Sequence, residues 1–279
     1  MAAASVAAAS VGPCVRLGTQ GWSYPDWVGS FYPSGTRADR FLARYAEEFA
    51  TVEIDSTFYG TPLPRAVRRW RASVPERFRF SLKMPREITH ERRMLGTREL
   101  VRAFYDVARE LGPTLGCVLV QFEASFGRTS EPEFWREVEH LPSDLRTAVE
   151  FRDPTWYVPE VQRRLNERGI ALAVTDAPFV PRELLAAALA RDAAPFAYVR
   201  WVGDRDAVAR YDRVRIDRRA DLAWWGRELR PLASAGRTVY GYVNNHYEGH
   251  SPATVRTLYA SLGIAHAMPA EPEQTSLFG

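Results

Sequence analysis

Eight short apolar runs alternate with eight amphipathic stretches along this chain. The runs are 15–18, 51–55, 78–83, 116–122, 147–151, 171–175, 197–201 and 238–243. Between and after them, apolar residues recur at three- and four-residue spacing over 39–49, 64–73, 97–111, 132–140, 159–168, 181–189, 221–234 and 251–262. Spacing of that kind predicts helices, and the short runs predict buried strands. Pro64, Pro132, Pro159, Pro181 and Pro252 stand where a first helical turn tolerates proline. Gly112, Gly169, Gly236 and Gly263 follow helical stretches as C-terminal stops. Strict strand–helix alternation requires parallel strands with crossover helices. The 279 residues suit a closed (β/α)8 barrel, whose typical length is about 250 residues. The competing open doubly wound sheet lacks its signature, since no strand is followed by a Gly-rich dinucleotide turn. The expected fold is therefore one α/β TIM-type barrel over 14–264, with disordered tails at 1–13 and 265–279.

Composition narrows the setting. A hydrophobic content of 46% and a charged content of 25% are ordinary for a globular chain. The net charge of +3 permits an anionic partner without demanding one. Cys14 and Cys117 are too few for a disulfide framework, which fits a reducing compartment. Residues 1–10 lack the basic start of a signal peptide, and no apolar run approaches the roughly 18 residues of a membrane span. A cytoplasmic protein with no membrane partner is expected.

One residue stands apart from the composition. Lys83 is the single lysine beside 36 arginines, and it closes the run 78–83. Arginine stays protonated, whereas a buried lysine can lose its proton and act as base, nucleophile or point donor. In a TIM barrel the strand C-terminal ends carry the active site. Polar residues at those ends are therefore the candidates. Lys83, Glu53 and Glu150 are candidate catalytic groups, the carboxylates as general acid or base where burial raises a pKa. Gln20, Trp22, Asp55, Tyr59, His90, Arg152, Asp176, Arg200, Asn244, Asn245 and His246 are candidate substrate contacts, with Gln121 and Glu123 at the same level. Arginine forks and amides suit phosphate, carboxylate or sugar hydroxyls. Trp22, Tyr24, Trp27, Phe31, Tyr32, Phe58, Tyr59, Trp156, Tyr157 and Tyr247 supply faces for sugars or bases.

No cofactor is called for. A divalent metal would have to draw on His90, His246 and His250 with Glu53, Glu150 and Asp176, and no HxH or HExxH spacing occurs. A P-loop and a serine nucleophile elbow are also missing.

Several stretches form a recognisable set: Gly18-Thr19-Gln20-Gly21-Trp22-Ser23-Tyr24 with Trp27 and Phe31-Tyr32-Pro33, and Val52-Glu53-Ile54-Asp55-Ser56-Thr57-Phe58-Tyr59. The set continues in Phe80-Ser81-Leu82-Lys83 with Thr89-His90, Glu150-Phe151-Arg152 with Trp156, Tyr198-Val199-Arg200, and Tyr242-Val243-Asn244-Asn245 with Gly249. In these stretches the chain resembles the YecE-like family of uncharacterised TIM-barrel proteins, a domain of unknown function. Two positions depart from the family pattern. Asp55 stands where asparagine is expected, and Trp201-Val202-Gly203 replaces a His-Gly element. The resemblance implies the barrel and no settled activity; likeness to apurinic-site endonucleases is one of fold alone.

At the other end, Gln274, Leu277 and Phe278 in Gln274-Thr275-Ser276-Leu277-Phe278 resemble the peptide by which bacterial repair and replication proteins dock on the DNA polymerase sliding clamp. Two functions fit these residues. One is an enzyme acting on a phosphate- or sugar-bearing substrate, nucleic acid included, or on a carbonyl through a Schiff base at Lys83. The other is a non-catalytic binder of an anionic small molecule or nucleic acid, recruited to the clamp by its tail. The sequence leaves the oligomeric state open.

Overall fold

Residues on a strand point alternately to opposite faces, so a barrel strand offers one face to the helices and one to the interior. The structure, a computed structural model, describes residues 15–266. Cys14 and the clamp-peptide residues Gln274, Leu277 and Phe278 lie outside the described residues. Nine strands run in chain order: β1 (Val15–Gln20), β2 (Thr51–Ile54), β3 (Arg79–Lys83), β4 (Leu115–Gln121), β5 (Thr147–Glu150), β6 (Ala171–Leu172), β7 (Val174–Asp176), β8 (Phe196–Trp201) and β9 (Thr238–Val243). The helices are α1 (Phe41–Glu48), α2 (Pro64–Ala72), α3 (Arg98–Arg109), α4 (Glu131–Val138), α5 (Pro159–Asn166), α6 (Arg182–Arg191), α7 (Arg219–Ser234) and α8 (Ser251–Leu262). Gly112, Gly169, Gly236 and Gly263 all take positive φ, as expected of helix stops.

The strands form one sheet in the order β6-β5-β4-β3-β2-β1-β9-β8-β7, and every pair is parallel. The two ends of that order are consecutive in the chain. The single sixth strand expected over 171–175 is divided at Ala173. Ala171 and Leu172 register with Ala148 and Val149, and the Ala173 amide donates to the Val149 carbonyl at 2.8 Å. Val174–Asp176 then register with Val199, Arg200 and Trp201. The stave hands its pairing from β5 to β8 within three residues, which makes eight staves of nine strands and nearly closes the barrel.

The two faces are packed differently. Val52, Ile54, Phe80, Leu82, Val118, Val120 and Val149 belong to the core beneath the helices. Helix α3 shows the matching stripe, burying Val101, Phe104, Tyr105 and Ala108 at helical spacing. Inside the barrel, Ala148, Ala171 and Ala173 share a cluster with Phe196, Tyr198, Tyr240 and Tyr242. Small residues on β5 and the sixth stave thus make room for the rings of β8 and β9, as close packing requires. The tyrosine hydroxyls find partners at this depth. Tyr242 Oη lies 2.8 Å from Thr51 Oγ1 and 2.7 Å from Ser81 Oγ, and Tyr198 donates to Glu53 Oε2 at 2.6 Å. Cys117 is a buried free thiol among them.

The tail expected from residue 265 begins on packed structure. His266 stacks on Tyr259 at 4.5 Å between ring centroids and lies 3.3 Å from Glu48 Oε1. Among the described residues no helix is long and apolar enough to cross a membrane.

Candidate functional site

Side chains from alternate staves of such a barrel share a layer. Gln20, Lys83, Glu150 and Arg200 come from β1, β3, β5 and β8, which are staves one, three, five and seven. All four point inward at the C-terminal mouth, and all are buried. Glu53 of β2 and Gln121 of β4 sit at adjoining levels, also buried.

Arg200, 2% exposed, is the hub. Its Nη2 donates to Glu53 Oε1 at 2.7 Å and its Nε to Glu53 Oε2 at 3.1 Å. Nη1 donates to Glu150 Oε2 at 2.7 Å, and Nη2 reaches Asp55 Oδ1 at 3.4 Å. A guanidinium so enclosed is held charged: burial disfavours the charge, but Glu150, Glu53 and Asp55 outweigh it and raise its pKa. Arg200 therefore organises carboxylates, and the expected substrate contact at this residue is not formed by a free fork.

The two candidate carboxylates separate in role. Both Glu53 oxygens are taken, by Tyr198 and Arg200. Burial, with Asp55 adding to it, pushes Glu53 up to about 7 against the pull of Arg200. Glu150 is also driven up by burial, yet Arg200 and Arg152 hold it below the usual carboxylate range. Its Oε2 is fixed by Arg200, while its buried Oε1 has no hydrogen-bond partner. Arg152 Nε lies 3.6 Å from that oxygen.

Lys83 is buried at 8% exposure. Its ammonium makes no ion pair or hydrogen bond among the described residues, and lies 4.0 Å from the centre of the Phe58 ring. Burial lowers its pKa; Arg200 adds to that, and Asp55, Glu150 and Glu53 oppose it. Lys83 opens onto a 280 Å³ cavity whose other walls are Phe58, Arg86, His90, Gln121, Arg152 and Arg205. Four cations line this space and no carboxylate does. Arg86 pairs with Glu91 at 3.0 Å, whereas Arg205 has no ion pair among the described residues. A neighbouring cavity of 400 Å³ shares Arg152 and Arg205 and adds Phe179, over which Arg152 lies at 5.3 Å. His90 is pulled down to about 4, by burial first and then by Lys83 and Arg152. It is therefore neutral at pH 7, with Nδ1 facing Thr89 Oγ1 at 2.8 Å.

The other expected contacts divide. Gln20 Oε1 accepts from Asn244 at 2.8 Å, on the β1/β9 side of the mouth. Tyr59 is 79% exposed, beside Phe58. Four residues differ from expectation. Trp22 packs edge-on against Trp70 and Phe80, outside the barrel, because Gly21 turns the chain there. Asp176 faces the helices, where its Oδ2 accepts from Trp225 at 2.6 Å and Tyr247 at 2.7 Å. Asn245 Oδ1 ties loops together through Trp27, Ser251 N and Ser251 Oγ. His246 lies against the Tyr211 ring and hydroxyl. None of the four lines the cavity. Arg86 and Arg205 line the cavity and are not among the residues expected there. Arg86 follows Lys83 by three residues and was legible there, while Arg205 lies in a long loop with no periodicity to orient it. Among the described residues no group of three or more His, Cys, Asp and Glu could hold a metal ion.

A family model described as "Protein of unknown function DUF72" matches residues 16–276. The UPF0759 protein YecE of Escherichia coli (strain K12) is 27% identical over 289 residues, covering 95% of this chain and 100% of its own. The UPF0759 protein YunF of Bacillus subtilis (strain 168) is 25% identical over 285 residues, with 95% and 100% covered. Among solved structures, a DUF72 family protein from Thermotoga maritima MSB8 superposes with a TM-score of 0.73 at 27% identity, covering 89% of this chain and 99% of that one. Another, from Enterococcus faecalis V583, has a TM-score of 0.71 at 22% identity, covering 93% and 100%. The chain belongs to the DUF72 family.

Proposed function

We propose that this DUF72 protein is an enzyme acting on a phosphate-bearing substrate at the C-terminal mouth of its barrel. The observation that carries this reading is the 280 Å³ cavity walled by Lys83, Arg86, Arg152 and Arg205 with no carboxylate, next to the unpartnered Oε1 of Glu150. Arg86 and Arg152 have carboxylate partners outside the cavity wall, while Lys83 and Arg205 form no ion pair among the described residues, and a cation left without one favours a bound anion. Guanidinium forks suit the oxygens of a phosphate, and Lys83 adds a point charge. The adjoining cavity and the faces of Phe58, Tyr59 and Phe179 suit the remainder of the substrate, a sugar or a nucleoside, within a nucleic acid or free. We assign the proton-accepting role to Glu150, whose Oε1 lies 3.6 Å from Arg152 Nε, behind the cavity wall.

The test follows binding and turnover together. Sugar phosphates and nucleotides are presented to the protein and followed by phosphorus NMR. Binding is expected in the wild type, lost in Lys83→Met and retained in Glu150→Gln. Turnover is expected to disappear in both. No binding by the wild type, or turnover unaffected in both variants, defeats the reading; binding with no turnover anywhere leaves a binder in place of an enzyme.

A further inference from the structure

The opposite end of the barrel carries a second group of cations. Arg16 on β1, Arg79 at the start of β3 and Arg146 just before β5 precede Gly18, Ser81 and Ala148 by two residues on the same staves. They form the lowest inward layer, on the same alternate staves as Lys83 and Glu150. Arg16 is registered against Tyr240 of β9. A Cβ on Gly116 would stand 3.2 Å from both Arg79 Cβ and Tyr240 Cε1, so the glycine lets the arginine stem and the ring meet across the barrel floor. All three guanidiniums act on the Tyr240 hydroxyl, drawing its pKa down against burial, and Arg16 and Arg146 lower the pKa of Arg79. The Arg16–Tyr240 register and the Gly116 contact with both Arg79 and Tyr240 put these side chains at one end of the barrel interior.

No carboxylate answers them. Among the described residues none of the three forms an ion pair. Arg16 and Arg79 bond backbone carbonyls of Arg77, Glu76 and Phe78; Arg146 has no side-chain bond, nor has the Tyr240 hydroxyl. Arg146, alone of the four residues, also lines a 740 Å³ cavity whose walls include Gly116, Thr147 and Phe196. The acids on that cavity are already engaged: Glu139 with Arg168, Asp144 with Arg109 and Glu167 with Arg163. Glu76, the acid acting on Arg79, forms no ion pair with it.

We propose that Arg16, Arg79, Arg146 and Tyr240 form a second anion site at the N-terminal end of the barrel, for a diphosphate or triphosphate group. One phosphate monoester carries at most about two negative charges, fewer than the three guanidiniums. A diphosphate matches them and still leaves an oxygen for the Tyr240 hydroxyl. This site is independent of the proposed reaction at the other mouth.

Inorganic pyrophosphate is the probe, titrated calorimetrically into the full chain carrying Lys83→Met and Arg152→Gln, which disables the C-terminal mouth. Saturable binding of one equivalent is expected. Adding Arg146→Gln should weaken it about tenfold, the scale of one charge-assisted contact, and adding Arg79→Gln should weaken it further. Arg146 is exposed, so its replacement should leave Tm unchanged and separate binding from folding. No binding in the Lys83→Met/Arg152→Gln background, or an affinity indifferent to Arg146→Gln and Arg79→Gln, overturns the proposal.

Discussion

Lys83 shows how a single side chain can be kept in place at a cost to the fold. Burial and Arg200 disfavour its charge more than Asp55, Glu150 and Glu53 support it. Its contact with the Phe58 ring contributes only about 0.5–2 kcal/mol in return. Lys83→Met, similar in length and uncharged, is therefore expected to keep or raise Tm while removing phosphate binding. A clear drop in Tm would show that Lys83 is a structural cation. His90 makes the companion case. Its pKa is about 4 in the fold against 6.5 unperturbed, so the unfolded chain takes the proton first as pH falls. Its contribution to stability is full above pH 6.5 and is lost as pH falls through 4. Glu53 runs the other way, since a raised carboxyl contributes below pH 4.5 and loses that contribution as pH rises through about 7. Removing His90 leaves the Glu53 trend unopposed. The Tm of His90→Gln relative to wild type should therefore grow more favourable between pH 7 and pH 4; parallel curves would refute the assignment.

At the scale of elements, loops do the selecting. The segment after β3 carries Arg86 and His90 to the cavity, and contains Arg93 and Met94 at φ of 49° and 67°, uncommon for residues with a side chain. The loop after β8 carries Arg205. It is pinned by the Tyr211 amide donating to Asp26 and by the Arg215 amide donating to the Glu248 carbonyl. Its first turn depends on Gly203, which has φ of 70° and whose Cβ would stand 2.5 Å from the His246 carbonyl oxygen. Gly203→Ala should displace Arg205 and weaken phosphate binding at the mouth several-fold, with strand and helix content unchanged by circular dichroism. An unaltered affinity would mean that Arg205 takes no part. The elements themselves were legible: α8 and β9 fall on the expected residues, because periodicity and capping act locally. The sixth stave was not, because its division at Ala173 comes from closing the sheet and not from any local signal.

For the whole molecule, the barrel interior joins residues distant in sequence into one electrostatic unit. Arg200 holds carboxylates that arrive 145 to 147 positions earlier and 50 positions earlier. Removing it strands Glu53 and Asp55 without an ion pair among the described residues and leaves Glu150 with Arg152 alone. Breaking such a buried network costs about 3–5 kcal/mol, which lowers Tm on the order of 10 °C for a barrel of this size. Arg152→Met, at the edge of the same group, should leave Tm almost untouched and weaken phosphate binding. Equal Tm losses in Arg200→Met and Arg152→Met would contradict this division. The sequence by itself determined the staves, the crossover helices and the end of the barrel at which polar residues gather. It did so because strand and helix periods are written in neighbouring residues. It also singled out Lys83, Glu53, Glu150, Arg152 and Arg200, all of which meet at one mouth. Which of them pair and which stay free was decided only by tertiary structure. Arg200 could have been an anion clamp, and Asp176 a substrate contact, until closure placed Arg200 between two glutamates and Asp176 against Trp225 and Tyr247. Pairing depends on distances across the barrel, and those are set by the closed register of all eight staves together.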